Sequence, residues 1–420
     1  MAESVVHEAD GERASGSRAQ RLVAFLGLRR SMVALLTMVV LVGLGEKMAE
    51  RFLPVYLIAL GGSTLSVGLL NGMDNLLSAL YSYPGGYISD RLGYKGALLV
   101  FNIIALLGYL IVILVPTWQM VIVGSIFFIS WTAISLPATM SMVSEVLPTT
   151  KRTMGVSMHS LVRRIPMALG PVIGGAFIQA YGRTTGTRIA FGAAFVLGIV
   201  ALVAQQLLIS DHDRTMGKQE AEANPLRALS WMSADLRALL VSDILVRFCE
   251  QIPYAFLAIW SLDYVGITPI QFGTLTAIEM VTAMLVYIPV AYLADRRGKR
   301  PFVAITFVFF TLFPLVLMLS RSMPMLVLAF IIRGLKEFGE PTRKALIMDL
   351  APEGRKAGTF GVYYLLRDVV VSVAAFGGAF LWRISPGTNL LTAFAFGVLG
   401  TVWFLARGRD LGRPAPEVAE

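Results

Sequence analysis

Apolar runs of about 20 residues or more recur along the whole chain, separated by short segments rich in glycine, proline and charge. Each run is long enough to cross roughly 30 Å of hydrocarbon as a helix. The pattern predicts twelve spans, at 31–59, 65–89, 96–115, 118–146, 155–181, 188–209, 236–262, 267–293, 301–320, 324–349, 357–382 and 389–407. Three segments are too polar to span. The expected organisation is therefore a disordered tail at 1–22, a six-helix bundle at 23–209, a linker at 210–235, a second six-helix bundle at 236–407 and a tail at 408–420.

Composition removes the competing reading. A chain of 420 residues is long enough for two or three soluble domains. A hydrophobic fraction of 56%, with only 15% charged residues, leaves too little polar cover for a soluble surface of that size. The mean hydropathy of +0.70 agrees. The first 22 residues carry no apolar run of the signal-peptide kind. Cys249 is the only cysteine, so no intramolecular disulfide can form.

The net charge of +9 is distributed by topology. One set of connections holds Arg91, Lys95, Lys151, Arg152, Arg296, Arg297, Lys299, Arg300, Arg355 and Lys356, and both flanks of the chain are basic too. The opposite connections hold little beyond Arg183, Arg188, Arg321 and Arg383. The positive-inside rule then places both termini in the cytoplasm, in a multi-pass protein of the inner membrane. The cations sit at helix ends, where they face anionic lipid, so no nucleic-acid partner is expected.

The chain also repeats itself. Gly86-Tyr-Ile-Ser-Asp90-Arg91-Leu-Gly93 follows the second span, and Ala291-Tyr-Leu-Ala-Asp295-Arg296-Arg-Gly298 follows the eighth. The offset between Asp90 and Asp295 is 205 residues, and it also carries Gly61 to Gly266, Gly68 to Gly273 and Asp74 to Glu279. A second block, Pro137 to Arg163, recurs at 204 residues as Pro341 to Arg367. Parallel repeats of six helices, with a substrate site between them near the midplane, are an arrangement used by secondary transporters.

The duplicated loop resembles the cytoplasmic signature between helices two and three of the major facilitator superfamily. The match covers Gly86, Asp90, Arg91 and Gly93 in the first copy and Asp295, Arg296 and Gly298 in the second. Tyr94 departs from it, standing where a basic residue is usual. The resemblance implies an all-α membrane fold of twelve helices in two pseudo-symmetric bundles, working as a monomer by alternating access. It also implies that the loop acidic residues latch the cytoplasmic gate. Gly170-Pro171-Val-Ile-Gly174-Gly175 in the fifth span resembles the core of a sequence found in the family's antiporters, with Pro166 and Ser157 in place of further glycines. Close helix packing through small residues is the alternative role of this stretch.

Ionisable residues inside spans usually face a cavity or a partner and mark a transport path. Glu46 lies near the middle of the first span, with Glu50 one turn on and Lys47 and Arg51 on a neighbouring stripe. The seventh span carries Asp243, Arg247 and Glu250. The tenth carries Arg333, Lys336, Glu337, Glu340 and Arg343, with Arg333–Glu337 and Lys336–Glu340 at ion-pair spacing. A carboxylate whose access to water alternates changes its proton affinity.

Glu46 and Glu250 are therefore the expected proton or substrate sites, with Glu50 and Glu337 beside them. Arg51, Arg247 and Arg333 are the expected counter-charges or ligands of an anionic group. The expected function is a proton-coupled exporter of a small amphiphilic or charged organic molecule. An uptake carrier or exchanger of organic anions using the arginines is the rival within transport, and a non-transporting sensor is the rival outside it. No cofactor or metal is expected, because His7, His159 and His212 form no ligand pattern. Neither is enzymatic or ATP-driven chemistry, because no nucleophile–base constellation or Walker loop occurs.

Overall fold

Backbone amides and carbonyls have no water to bond in hydrocarbon, so apolar runs of this length fold as helices. The computed structural model describes residues 30–129, 131, 134–135, 139, 162–208, 232–351 and 356–408. In the first bundle the helices are α1 (Arg30–Glu50), α2 (Leu53–Ala59), α3 (Thr64–Leu114), α4 (Trp118–Phe128), α5 (Arg164–Tyr181) and α6 (Arg183–Leu208). In the second they are α7 (Ala234–Tyr254), α8 (Leu257–Ile259), α9 (Pro269–Arg297), α10 (Arg300–Leu319), α11 (Met323–Leu335), α12 (Glu340–Leu350), α13 (Lys356–Ile384) and α14 (Pro386–Arg407). Among the described residues six helical segments are long and apolar enough to cross a membrane.

Three expected spans are interrupted, and two run together. The first divides at Arg51–Phe52, with Pro54 in the opening turn of α2, where its missing amide is tolerated. The seventh divides just after Pro253 and continues through α8 into a π-helical turn, Trp260–Tyr264. The tenth divides between Leu335 and Glu340, with Pro341 opening α12. The second and third join as α3 across a break at Gly93, whose φ of 72° and ψ of 165° no residue with a Cβ adopts readily. The fourth and fifth spans extend beyond the described residues, as do His159, Ser157, Lys151, Arg152 and Arg355, the linker and both tails.

The two bundles repeat each other in detail. α1 packs on α5 and α6, and α7 packs on α13 and α14. The first long helix of each bundle breaks at a buried phenylalanine in the same conformation: Phe52 at φ −103°, ψ −3°, and Phe256 at φ −94°, ψ −2°. Gly61 and Gly266 both take φ near 80°, at 84° and 80°. Gly298, the counterpart of Gly93, ends α9 at φ 89° and ψ 159°.

The bundles meet along two seams, α5 against α9 and α3 against α13. Small residues bring the backbones together there, as membrane packing requires. A Cβ on Gly175 would strike the Pro269 carbonyl, and one on Gly273 would strike the Pro171 carbonyl. Gly170 and Gly174 play the same part within the first bundle, pressed on Lys47 and Met48 of α1. The helix-five stretch thus packs on both sides, against α1 and across the seam.

Candidate transport site

The seams leave a cavity between the bundles. Its wall takes Arg51 from the end of α1, Asp74 from α3, Arg164 from α5, Arg247 and Glu250 from α7, Glu279 from α9, Arg333 from α11 and Arg367 from α13. A smaller recess shares Arg51, Asp74 and Tyr254 with it and is otherwise walled largely by Leu53, Pro54, Leu70, Ile129, Leu257 and Phe272.

In the second bundle the charges form one continuous network. Glu250 accepts from Arg247 at 2.6 Å and from Lys336 at 2.5 Å. Lys336 also reaches Glu279 at 3.7 Å, and Arg333 holds Glu279 at 3.2 Å. Arg247 continues to Glu340 at 3.4 Å, and Arg343 binds Glu340 and Asp243. Asp243 is shared further with Arg367 and with the Tyr363 hydroxyl at 3.1 Å. Aromatic faces complete the cage: the Arg333 guanidinium lies 5.4 Å from the Tyr254 ring and 5.4 Å from the Phe313 ring. Buried charges of this density persist only when each is answered by opposite charge and hydrogen bonds.

The i,i+4 pairs expected in the tenth span do not form. The interruption between Leu335 and Glu340 takes Lys336 and Glu337 off the helical repeat that the pairing needs. Arg333 pairs instead with Glu279, Lys336 with Glu250, and Glu337 crosses to Arg164 of the first bundle at 3.2 Å.

The first bundle is sparser. Lys47 lies between Glu46, at 3.1 Å, and Glu50, and binds both. Glu46 is 3% exposed and faces a small pocket inside the bundle with Trp131 and Arg163, which Arg163 and Met167 separate from the central cavity. One of its oxygens, Oε2, has no hydrogen-bond partner among the described residues. Arg51 donates to the Tyr254 hydroxyl at 2.7 Å across the bundle interface. The structure therefore brings Arg51, Arg247, Glu250, Arg333 and Glu337 to the central cavity, puts Glu50 in the adjoining recess, and sets Glu46 behind Lys47.

Glu279, Lys336, Arg164 and Arg367 line the cavity beyond the residues expected of the site, and so do Tyr254 and Asp74. Tyr254 ends α7 and touches both Arg51 and Arg333. Asp74 lines cavity and recess alike, and its match to Glu279 in the repeat was the available signal.

At the end that carries the Gly61 and Gly266 turns, the bundles are closed over the cavity. Phe52 meets Phe272 edge-on at 5.6 Å, the Asn71 amide donates to the Gln251 carbonyl at 3.1 Å, and Arg183 pairs with Asp263. Toward the other end, Lys299 of the second signature loop pairs with Asp349 at the end of α12. The Arg91 guanidinium lies 4.8 Å from the Tyr87 ring. The side chains of Asp90, Asp295 and Arg296, and the surroundings of Gly86, lie outside the described residues. Among the described residues, no group of His, Cys, Asp or Glu is placed to hold a metal ion.

Two bundles of helices closed at one end around a charged cavity define a membrane carrier fold. The chain matches the Major Facilitator Superfamily over residues 35–245 and again over 239–419, one match for each bundle, and it belongs to that superfamily of secondary transporters. An uncharacterised MFS-type transporter of Methanocaldococcus jannaschii is 20% identical over 375 residues, 86% of this chain and 91% of that protein. The quinolone resistance protein NorA of Staphylococcus aureus is 25% identical over 193 residues, 46% of this chain and 48% of that protein. The crystal structure of the peptide transporter POT in complex with sulfate superposes with a TM-score of 0.71 at 16% identity, covering 93% of this chain and 97% of that one.

Proposed function

We propose that this secondary transporter is a proton-coupled exporter of a small charged organic molecule, acting as a monomer in the inner membrane with both termini cytoplasmic. The observation that carries the reading is the cavity between the bundles, where Glu250, Glu279 and Glu337 are each held by a cation from another part of the fold, Lys336, Arg333 and Arg164. Glu250 is bound by Lys336 and Arg247, so protonating it leaves Lys336 to Glu279 and Arg247 to Glu340 and loosens the contact between α7 and the turn after α11. In α1 the arrangement is inverted, with Glu46 and Glu50 sharing the single cation Lys47 of their own helix. Such pairs change partners as water reaches them from one side or the other, which is what coupling a proton to a conformational cycle requires. The similarity of half the chain to a quinolone resistance protein supports export. With the signature loops cytoplasmic, the closed end faces outward and Arg164–Glu337 bridges the bundles toward the inside.

The test is purified protein in proteoliposomes under an imposed pH gradient, with amphiphilic cations, neutral amphiphiles and organic anions supplied while internal pH is followed. Substrate-dependent proton movement is expected in wild type and is lost in Glu250→Gln and in Glu46→Gln. Proton-coupled flux that survives in the double variant sinks the coupling assignment.

A second reading has one specific observation behind it. The central cavity is lined by seven cationic and five anionic side chains, a positive excess that suits an organic anion. Anion exchange without proton movement is the outcome that selects it.

A further inference from the structure

Nearly every ionised side chain that lines the cavity or its recess is engaged by another. The acids of the second bundle are held by its lysine and arginines, Glu50 by Lys47, and Glu337 by Arg164. Arg163 has a partner as well. Two groups stand apart. Among the described residues the Asp74 carboxylate makes no ion pair or hydrogen bond, and Arg51 makes no ion pair and binds only the neutral Tyr254 hydroxyl. They have opposite charge, come from different helices, and line the same recess without bonding each other. Holding two opposite charges without a direct ionic partner among the described residues, where an apolar recess opens from the charged cavity, is costly, and a ligand carrying both complements lowers the cost.

We propose that the recess binds a zwitterion, with its ammonium on Asp74 and its anionic group on the Arg51 guanidinium. Arg51 offers a planar fork of donors suited to a carboxylate. Leu53, Leu70 and Phe272 offer an apolar wall for the body of the molecule, so the substrate class is a small amphiphilic amino acid or similar ampholyte. A singly charged ligand satisfies one group and leaves the other bare, so the site discriminates by the presence of both charges at once. The positive excess of the larger cavity then serves entry of the anionic group, while the recess selects the complete zwitterion. This inference rests on the reading of the cavity as the transport site.

The experiment uses three probes with one body: L-phenylalanine, L-phenylalaninamide, which has only the positive charge, and N-acetyl-L-phenylalanine, which has only the negative. Binding to the purified full chain is measured by calorimetry, and uptake of each is measured in proteoliposomes. The zwitterion is expected to bind at least about tenfold more tightly than either analogue, in line with one charge-assisted hydrogen bond. Asp74→Asn is expected to weaken the zwitterion about tenfold to a hundredfold while leaving the N-acetyl compound unchanged. Arg51→Gln should do the converse, sparing the amide. Retained binding of the spared probe shows that each variant is folded, and Arg51→Lys should recover part of the zwitterion affinity. A singly charged probe that binds as tightly as the zwitterion overturns the inference, as does a zwitterion that shows no saturable binding. If the amide or the N-acetyl compound is transported and the zwitterion is not, the carrier reading survives and the inference falls. If no member of this set or of the wider panel moves, both fall.

Discussion

Lys336 holds Glu250 at 2.5 Å and reaches Glu279 at 3.7 Å, so one ammonium group ties α7 to α9. Removing it leaves two buried carboxylates short of charge. Lys336→Met is expected to lower stability by about 3–5 kcal/mol, read as a fall in melting temperature in detergent. Adding Glu250→Gln should recover a substantial part, because the acid most exposed by the first change is then neutral. An additive double variant would show that the pair is not coupled. The residues of this network were legible in the sequence as charges at membrane depth, but their partners were not. Spacing along one helix suggested Arg333 with Glu337, whereas the choice of partner is made by helices that only the fold brings together. Asp74 was visible as an acid and silent as a site, because being without a counter-charge is a property of surroundings.

Proline and glycine decide where the helices stop. The predicted first and tenth spans run straight through Arg51–Phe52 and through Lys336 to Gly339, taking the charges there as residues inside single spans. The breaks belong to Pro54 and Pro341, each seated in the opening turn of the next helix. At Gly298 the backbone sits at φ 89° and ψ 159°, a region reserved for glycine, and Gly93 matches it at φ 72°. Gly298→Ala is expected to cost about 1–3 kcal/mol, measured as a lowered melting temperature, while Gly361→Ala, within α13 and with open space for a Cβ, should cause no such loss. Equal losses for the two would remove the backbone argument. Gly174 faces the backbone of α1 directly, so Gly174→Leu should abolish accumulation of folded protein in the membrane, whereas Gly192→Leu, which meets open space, should not.

Across the whole molecule, the bundles close over the cavity at the end of the Gly61 and Gly266 turns. Arg183 and Asp263, from opposite bundles, are both well exposed at the closed end. Arg183→Cys combined with Asp263→Cys, joined by a cleavable thiol-specific linker, is expected to stop transport while the link is intact and to restore it on cleavage. Cys249 is buried and leaves the pair as the reactive thiols. Undiminished flux in the linked protein would mean that this end need not open. The architecture behind this prediction was the most legible feature of the sequence. Twelve apolar runs and a 205-residue echo specify two like bundles, since apolar length and repeated turns are local properties. The cavity was not legible, because it is the space left where two seams of small residues hold the bundles apart elsewhere.

The matched turns also record a history. Gly61 answers Gly266, Gly93 answers Gly298, and Phe52 answers Phe256 in backbone shape, while the acids near them have parted ways: Glu279 is tied to Arg333, and Asp74 stands without an ion pair. A gene copied and fused to itself passes on two equal scaffolds and, at first, two equal sets of charges. Here the turns are held in common and the division of labour has fallen on the side chains: one half braces its acid, and in the other the acid has no ionic partner among the described residues.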